Sequence, residues 1–215
     1  MKKSTIVLLM AWVVLAAGCD LVGIRGNGHI VTDQRSISDF SEIEASGALR
    51  IEWRSGAPAL SITTDENLLT YIDNRNIDNR LRLRSREHLR PTHRINVVVS
   101  SPTRSAAKLS GATDLKAPAL TGSKFAIESS GAADVTLDGA IDELLADMTG
   151  ASDLKAKSLQ ARSVQISTTG AASAQVNPTE TLRVAITGAG DVTYCGNPPT
   201  IEKHITGAGS IRHKE

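Results

Sequence analysis

Four arginines alternate along one short stretch of the chain: Arg80, Arg82, Arg84 and Arg86. In an extended strand, residues two apart point to the same face, so the four guanidinium groups would share a face with a spacing of about 6.8 Å. A guanidinium can engage an oxyanion through two hydrogen bonds. The row therefore indicates a binding surface for an anionic glycan, a lipid head group or an acidic envelope protein. The alternative is a solvated face that protects a sheet edge.

Acidic residues recur at a spacing of about twenty, at Asp114, Asp134 and Asp153. Carboxylate oxygens bind Ca²⁺, but they also accept backbone N–H bonds at turns. Ser173 takes the same place in the next copy, which favours the turn role. A pectinase-like enzyme would instead need such carboxylates clustered with Arg or Lys in a groove.

Other catalytic and metal-binding patterns are missing from the sequence. No Ser-His-Asp or Cys-His arrangement is identifiable, and no His or Cys pair has a metal-ligand spacing. Two Trp, two Tyr and two Phe offer few stacking faces for sugars, so glycan cleavage is the weaker hypothesis. We expect no metal, no cofactor and a non-catalytic binding or scaffolding module, with a polysaccharide-active enzyme as the alternative.

A repeated Ser/Thr-Gly-Ala triplet indicates the elements that position these residues. Its regular copies are centred on Gly111, Gly131, Gly150, Gly170, Gly188 and Gly207, which lie 18 to 20 residues apart. An earlier copy is centred on Gly47. A period near twenty is typical of solenoids, whereas propeller blades need about forty residues.

Apolar residues recur around the glycines at even offsets, two and four positions before and four positions after, as at Leu109 and Leu115. This period of two predicts strands with even positions facing the core. The predicted fold class is all-β: a single-stranded, right-handed parallel β-helix, or β-solenoid, with coils of about twenty residues. The seven glycines are predicted to be inward-facing corners. The hydroxyl before each glycine is predicted to join an outward ladder of hydrogen bonds.

The β-helix domain is predicted over residues 40–215, with irregular coils to about residue 106 and regular coils over 107–215. The 64 residues from Gly47 to Gly111 leave room for three further coils. Asp65 is predicted to cap a short helical turn. Residues 73–79, rich in Asn and Asp, predict turns. The open solenoid ends would allow a homo-oligomer.

The first nineteen residues resemble a bacterial lipoprotein signal. Two lysines precede a short apolar run that ends in Leu-Ala-Ala-Gly-Cys at Cys19, and this run is too short for a comfortable membrane span. The resemblance implies that residues 1–18 are removed, that Cys19 is lipidated, and that residues 19–39 form an anchor, linker and N-terminal cap. The protein would then be lipid-anchored in the bacterial cell envelope, periplasmic or surface-exposed, at the inner or outer membrane. An ordinary secretory signal is the alternative.

Removal of residues 1–18 takes away two lysines and leaves 22 Lys and Arg against 23 Asp and Glu, a net charge of −1. This balance does not fit a general nucleic-acid binder. With Cys19 lipidated, Cys195 is the one remaining thiol, so no intrachain disulfide forms. A partly buried Cys195 is favoured over a reactive one.

Several short motifs near the start of the mature chain are similar to one family. They are Gly26-Asn27-Gly28, the pattern Arg-x-Ile-x-x-Phe-x-x-Ile over residues 35–43, and Gly47-Ala-Leu-Arg-Ile51. The likeness continues through Val97–Pro102 and the Gly-Ala-x-Asp-Leu/Val repeats. Together they resemble the head-GIN-domain family of auto-transporter adhesins. The resemblance implies a β-helical envelope protein and offers no established catalytic residues.

Overall fold

The computed structural model describes residues 23–214, so Cys19 and the predicted signal segment lie outside the described residues. Strands β1 to β17 are, in chain order, Ile24–Arg25, Ile30–Arg35, Glu42–Gly47, Leu49–Ser55, Ala59–Asp65, Ile72–Ile77, Arg80–Ser85, Leu89–Arg90, Ile95–Ser101, Ala106–Gly111, Asp114–Gly131, Asp134–Gly150, Asp153–Gly170, Ser173–Gly188, Asp191–Tyr194, Thr200–Gly207 and Ser210–His213. A 3₁₀ helix, Glu66–Tyr71, separates β5 from β6. None of the described helices is long and apolar enough to cross a membrane.

The chain forms a β-solenoid of about five turns with coils of about twenty residues, which confirms the fold predicted from the repeat. Strands β11 to β14 each trace most of one coil and pair in parallel with the next, Gly131 beside Gly150 and Gly150 beside Gly170. Each coil contributes to two ladders, one ending at the corner glycine and one beginning three residues after it. The last coil supplies β16 to the first ladder and β17 to the second.

The core lies between the two ladders. Residues two and four positions from the glycines are buried in the regular coils before the last, as the alternation predicts; Leu115 and Ile166 are examples. The early coils add an aromatic cluster in which Phe40 stacks on Trp53 with ring centroids 5.9 Å apart, and Phe125 lies tilted against Trp53 at 6.0 Å. The indole N–H of the buried Trp53 donates to a Ser101 hydroxyl at 2.8 Å, so this polar atom is satisfied inside the core.

The segment between Gly47 and Gly111 does not form the three extra coils that its length predicted. Instead β3 pairs directly with β10, Gly47 beside Gly111, and β4 pairs with β11. The chain passes to the other side of this coil, where β7 pairs with β3 and β9 with β4. Antiparallel pairs then close this end, β6 on β7 and β2–β5–β9. Antiparallel pairs carry no twenty-residue period, so spacing alone gave the wrong number of coils.

Two local predictions in this segment also need correction. Residues 73–79 are mostly strand β6, and the turn is confined to Asp78 and Asn79, whose φ angles are 51° and 64°. Asp65 precedes the 3₁₀ helix but makes no side-chain cap bond to it. Its fully buried carboxylate instead accepts the Gly28 N–H at 2.7 Å and both the N–H and the hydroxyl of Thr92 at 2.9 and 2.8 Å. Asp65 therefore ties three segments together.

The seven triplet glycines adopt φ angles between 82° and 121°, a region that disfavours side chains. They lie exposed or half-buried, so the inward orientation predicted for them is wrong. The chain turns at each glycine, and the next inward position comes two residues later, as at Thr113 and Ser152. A Cβ placed on Gly150 would lie 2.5 Å from the backbone oxygen of Gly131. Close backbone approach between coils, and not core packing, requires glycine here.

The hydroxyls that precede these glycines point outward. Within residues 23–214, however, no hydrogen bond joins one of these hydroxyls to the next, so the predicted ladder is wrong. Ser110 donates instead to the backbone oxygen of Ala45 in the neighbouring coil, at 3.4 Å. The corner is held by backbone bonds, such as that from Ala151 N to Gly131 O at 2.9 Å.

Candidate functional site

Strand β7 positions the row of arginines singled out in the sequence. Leu81 and Leu83 are buried, so Arg80, Arg82 and Arg84 point outward, and Arg86 follows the strand. The four arginine side chains are 39–56% exposed. The strand lies between β3 on one side and β6 on the other, so both neighbours determine which charges the arginines meet.

Strand β3 supplies carboxylate partners to the first two arginines. Glu42 lies opposite Arg80 in the parallel register, and Glu44 lies opposite Arg82. The Arg80–Glu42 pair closes to 2.6 Å and the Arg82–Glu44 pair to 3.1 Å. The hydrogen bond to Glu42 raises the pKa of Arg80. These contacts hold both guanidinium groups in defined positions, which sequence reasoning did not anticipate.

Strand β6 supplies one carboxylate and one further arginine. Asp73 lies 3.1 Å from Arg86 and 3.9 Å from both Arg84 and Arg75. Arg86 also donates to the backbone oxygen of Thr70. Sequence reasoning missed Arg75 because it placed this residue in turns. The antiparallel hairpin brings Arg75 directly opposite Arg82.

The outer faces of β3, β6 and β7 enclose a groove of about 150 Å³. Its charged lining consists of Glu44, Asp73, Arg75, Arg82 and Arg84. We use the term arginine groove for this lining together with Arg80, Arg86 and Glu42. Five arginines there face three carboxylates, which leaves an excess of two positive charges.

The acidic column is in register, Asp114 beside Asp134 and Asp134 beside Asp153. Asp114 pairs with Arg50 at 3.5 Å and with Arg94, and Asp134 pairs with Lys155 at 3.2 Å. The described residues give none of these carboxylates a backbone donor, so the favoured turn role is wrong.

Neither the column nor any other part of the described chain gathers three or more His, Cys, Asp or Glu residues that could hold a metal ion. Cys195 is half-buried and is the free cysteine of the described residues. Within the column, the charges of Asp114 and Asp134 are therefore met by residues of neighbouring coils.

The family model described as "Putative auto-transporter adhesin, head GIN domain" matches residues 39–198. The chain belongs to this family. The match confirms the family resemblance noted in the motifs of the first coils and in the repeats. A comparison with curated proteins finds none that matches the chain.

Solved structures share the fold. A putative adhesin from Bacteroides fragilis is 22% identical, covers 89% of this chain and 100% of its own, and superposes with a TM-score of 0.72. A putative adhesin from Parabacteroides merdae is 20% identical, with 90% and 100% coverage and a TM-score of 0.57. A putative lipid binding protein from Parabacteroides distasonis is 23% identical, with 89% and 99% coverage and a TM-score of 0.53. At these identities the likeness establishes the fold alone.

Proposed function

We propose that the chain is a lipid-anchored, non-catalytic module of the bacterial cell envelope that binds an anionic partner through the arginine groove. The observation that carries the proposal is the excess of two positive charges in the arginine groove, on a mature chain whose net charge is −1. The name of the family supports an adhesin-like role. Lipidation at Cys19 supplies the anchor. One acyl chain holds a protein only weakly, so the several chains of a lipoprotein matter.

The carboxylates in the arginine groove orient the arginines for an anion and do not cancel their positive charge. Glu42, Glu44 and Asp73 hold the guanidinium groups in place, so less side-chain entropy is lost when a ligand binds. Guanidinium groups spaced about 6.8 Å apart along β7 suit an anion that repeats, because each group can engage one oxyanion. At about 150 Å³ the groove is smaller than the roughly 300–1,000 Å³ of typical small-molecule pockets, so a surface or an extended polymer fits it better than an enclosed small molecule.

The proposal is tested with the soluble domain that begins at Asp20, which contains every described strand and the whole core. We would measure its binding to anionic polysaccharides, anionic vesicles and their neutral counterparts at low and high salt. The four-arginine variant is R80Q/R82Q/R84Q/R86Q. The distal variant, K155Q/R162Q/R183Q/R212Q, removes the same number of positive charges, all of which also have carboxylate partners.

We expect the wild-type domain to bind at least one anionic probe, with an affinity that falls as salt rises. The four-arginine variant should lose this binding while the distal variant keeps it. Equal binding by both variants would show that the arginine groove is not the site. Release of new reducing ends from a polysaccharide, abolished by D114N or D134N, would favour the polysaccharide-active enzyme instead.

A further inference from the structure

The start of the described chain is fixed next to the arginine groove. Strand β1 pairs in parallel with β8, and the Ile24 N–H donates to the backbone oxygen of His88 at 2.9 Å. Gly23 lies so close that a Cβ on it would come within 2.7 Å of the His88 ring. His88 follows Arg86, the last arginine of the row, by two residues. The chain therefore enters the fold at one end of the row.

The predicted lipid anchor is only four residues before Gly23. Four extended residues span at most about 14 Å. The row from Arg80 to Arg86 is about 20 Å long. A lipidated Cys19 thus holds the near end of the row within reach of the head-group layer, which is about 5–8 Å thick on each side of a bilayer.

We infer that the anionic partner of the arginine groove is the lipid surface itself, and that the groove holds the N-terminal end of the solenoid against anionic phospholipid head groups. This inference rests on the proposed function, because it names the partner of the same site. The inference also sets the orientation of the solenoid relative to the membrane. Strand β6 is the last strand of its ladder at this end, while β16 lies about 38 Å away, eight strand spacings along the ladder. The C-terminal coils would point away from the membrane.

The charge excess determines how strongly the arginine groove should bind an anionic membrane. An arginine near an anionic membrane surface contributes about fivefold to binding. If only the two unbalanced charges act, the arginine groove strengthens attachment by about 25-fold. The attraction falls off within a Debye length of about 8–10 Å, so charges on the distal coils would contribute little.

The test uses the soluble domain from Asp20, without its lipid, and vesicles of phosphatidylglycerol mixed with phosphatidylcholine or of phosphatidylcholine alone. Sedimentation at low salt gives the partition coefficient of the wild type, the four-arginine variant and the distal variant. Circular dichroism confirms that the variants stay folded. We expect binding only to the phosphatidylglycerol vesicles, a loss of about 25-fold or more in the four-arginine variant, and a change of less than threefold in the distal variant.

Three results would overturn the inference. The wild-type domain could partition equally into both kinds of vesicle. The distal variant could lose as much binding as the four-arginine variant, which would show that net charge alone is measured. The arginine groove could bind an anionic polysaccharide but no vesicle; this last result leaves the proposed function standing and removes only the lipid surface as its partner. If no anionic probe binds through the groove, both ideas fall.

Discussion

Replacement of Gly150 by Ala should destabilise the solenoid more than the same change at Gly47. Both residues belong to the column of corner glycines, and their φ angles are 104° and 113°. Strain from a side chain at such angles costs about 1–3 kcal/mol at either position. The two sites differ in what the new methyl group meets. At Gly150 it lies 2.5 Å from the Gly131 oxygen, whereas at Gly47 the nearest atom is the Cβ of Ser85 at 4.0 Å.

The difference between the two variants therefore isolates the close approach of the backbones. Overpacking of this kind costs about 1–3 kcal/mol beyond the strain. For a domain of this size, that difference lowers the melting temperature by about 2–12 °C more in Gly150→Ala than in Gly47→Ala. Ala151→Val, at the neighbouring exposed position, should leave the melting temperature nearly unchanged.

Thermal and urea unfolding of the soluble domain would be followed by circular dichroism and by the fluorescence of Trp53, the one tryptophan after residue 18. Coincident transitions from the two probes would support a two-state analysis. If Gly47→Ala and Gly150→Ala lower the transition equally, backbone strain alone explains the glycine column and the close approach is unimportant. If Ala151→Val matches Gly150→Ala, the assignment of the corner is wrong.

Three further predictions concern stability and attachment. Burial alone would raise the pKa of Asp65, but the hydrogen bonds from Thr92 and Gly28 outweigh it and lower the pKa below its ordinary 3.8. The ionised carboxylate therefore stabilises the fold fully above pH 3.8, and this contribution is lost as the pH falls through the lower pKa of the folded state. Asp65→Asn should flatten the pH dependence of the urea midpoint. Buried Arg104 donates to the backbone oxygens of three residues, so Arg104→Met should destabilise by about 2–5 kcal/mol in urea unfolding, and Arg104→Lys should restore little. Cys19→Ala should move the protein from the membrane pellet to the soluble fraction after a salt wash.

The regular coils were predictable because each coil repeats the same local requirement. One face of each strand must be covered by the next coil, so apolar residues such as Leu115 and Val135 recur in register. The orientation of the glycines was not predictable from alternation, since counting by twos carries through a corner as if the strand continued there. Gly150 falls in the same alternating series as the buried residues on either side of it. It does not face the core, because its positive φ turns the chain at that point.

The carboxylate partners of the arginine row were not predictable from the sequence, for a different reason. Glu42 and Glu44 precede Arg80 and Arg82 by 38 residues, and only parallel pairing of β3 with β7 brings them together. Their spacing of two matches that of the arginines, which is a weak signal for the pairing. In this pairing β7 lies on the side of β3 away from β10, so the order of strands in the stack differs from their order in the sequence. No local residue pattern specifies that change of order.

The C-terminal end of the solenoid is less suited to binding a partner than the end that carries the arginine groove. Strand β16 leaves Ile201 and Ile205 exposed, so it is an open edge with an apolar face. Lys203 occupies the register of the core residue Val184 on this strand, and its ammonium lies 5.6 Å from the centre of the Tyr194 ring. An inward-pointing charge on an edge strand opposes pairing with another sheet, because stacking would bury the charge without a partner. The homo-oligomer through solenoid ends stays a prediction, and Lys203 argues against this end as its interface.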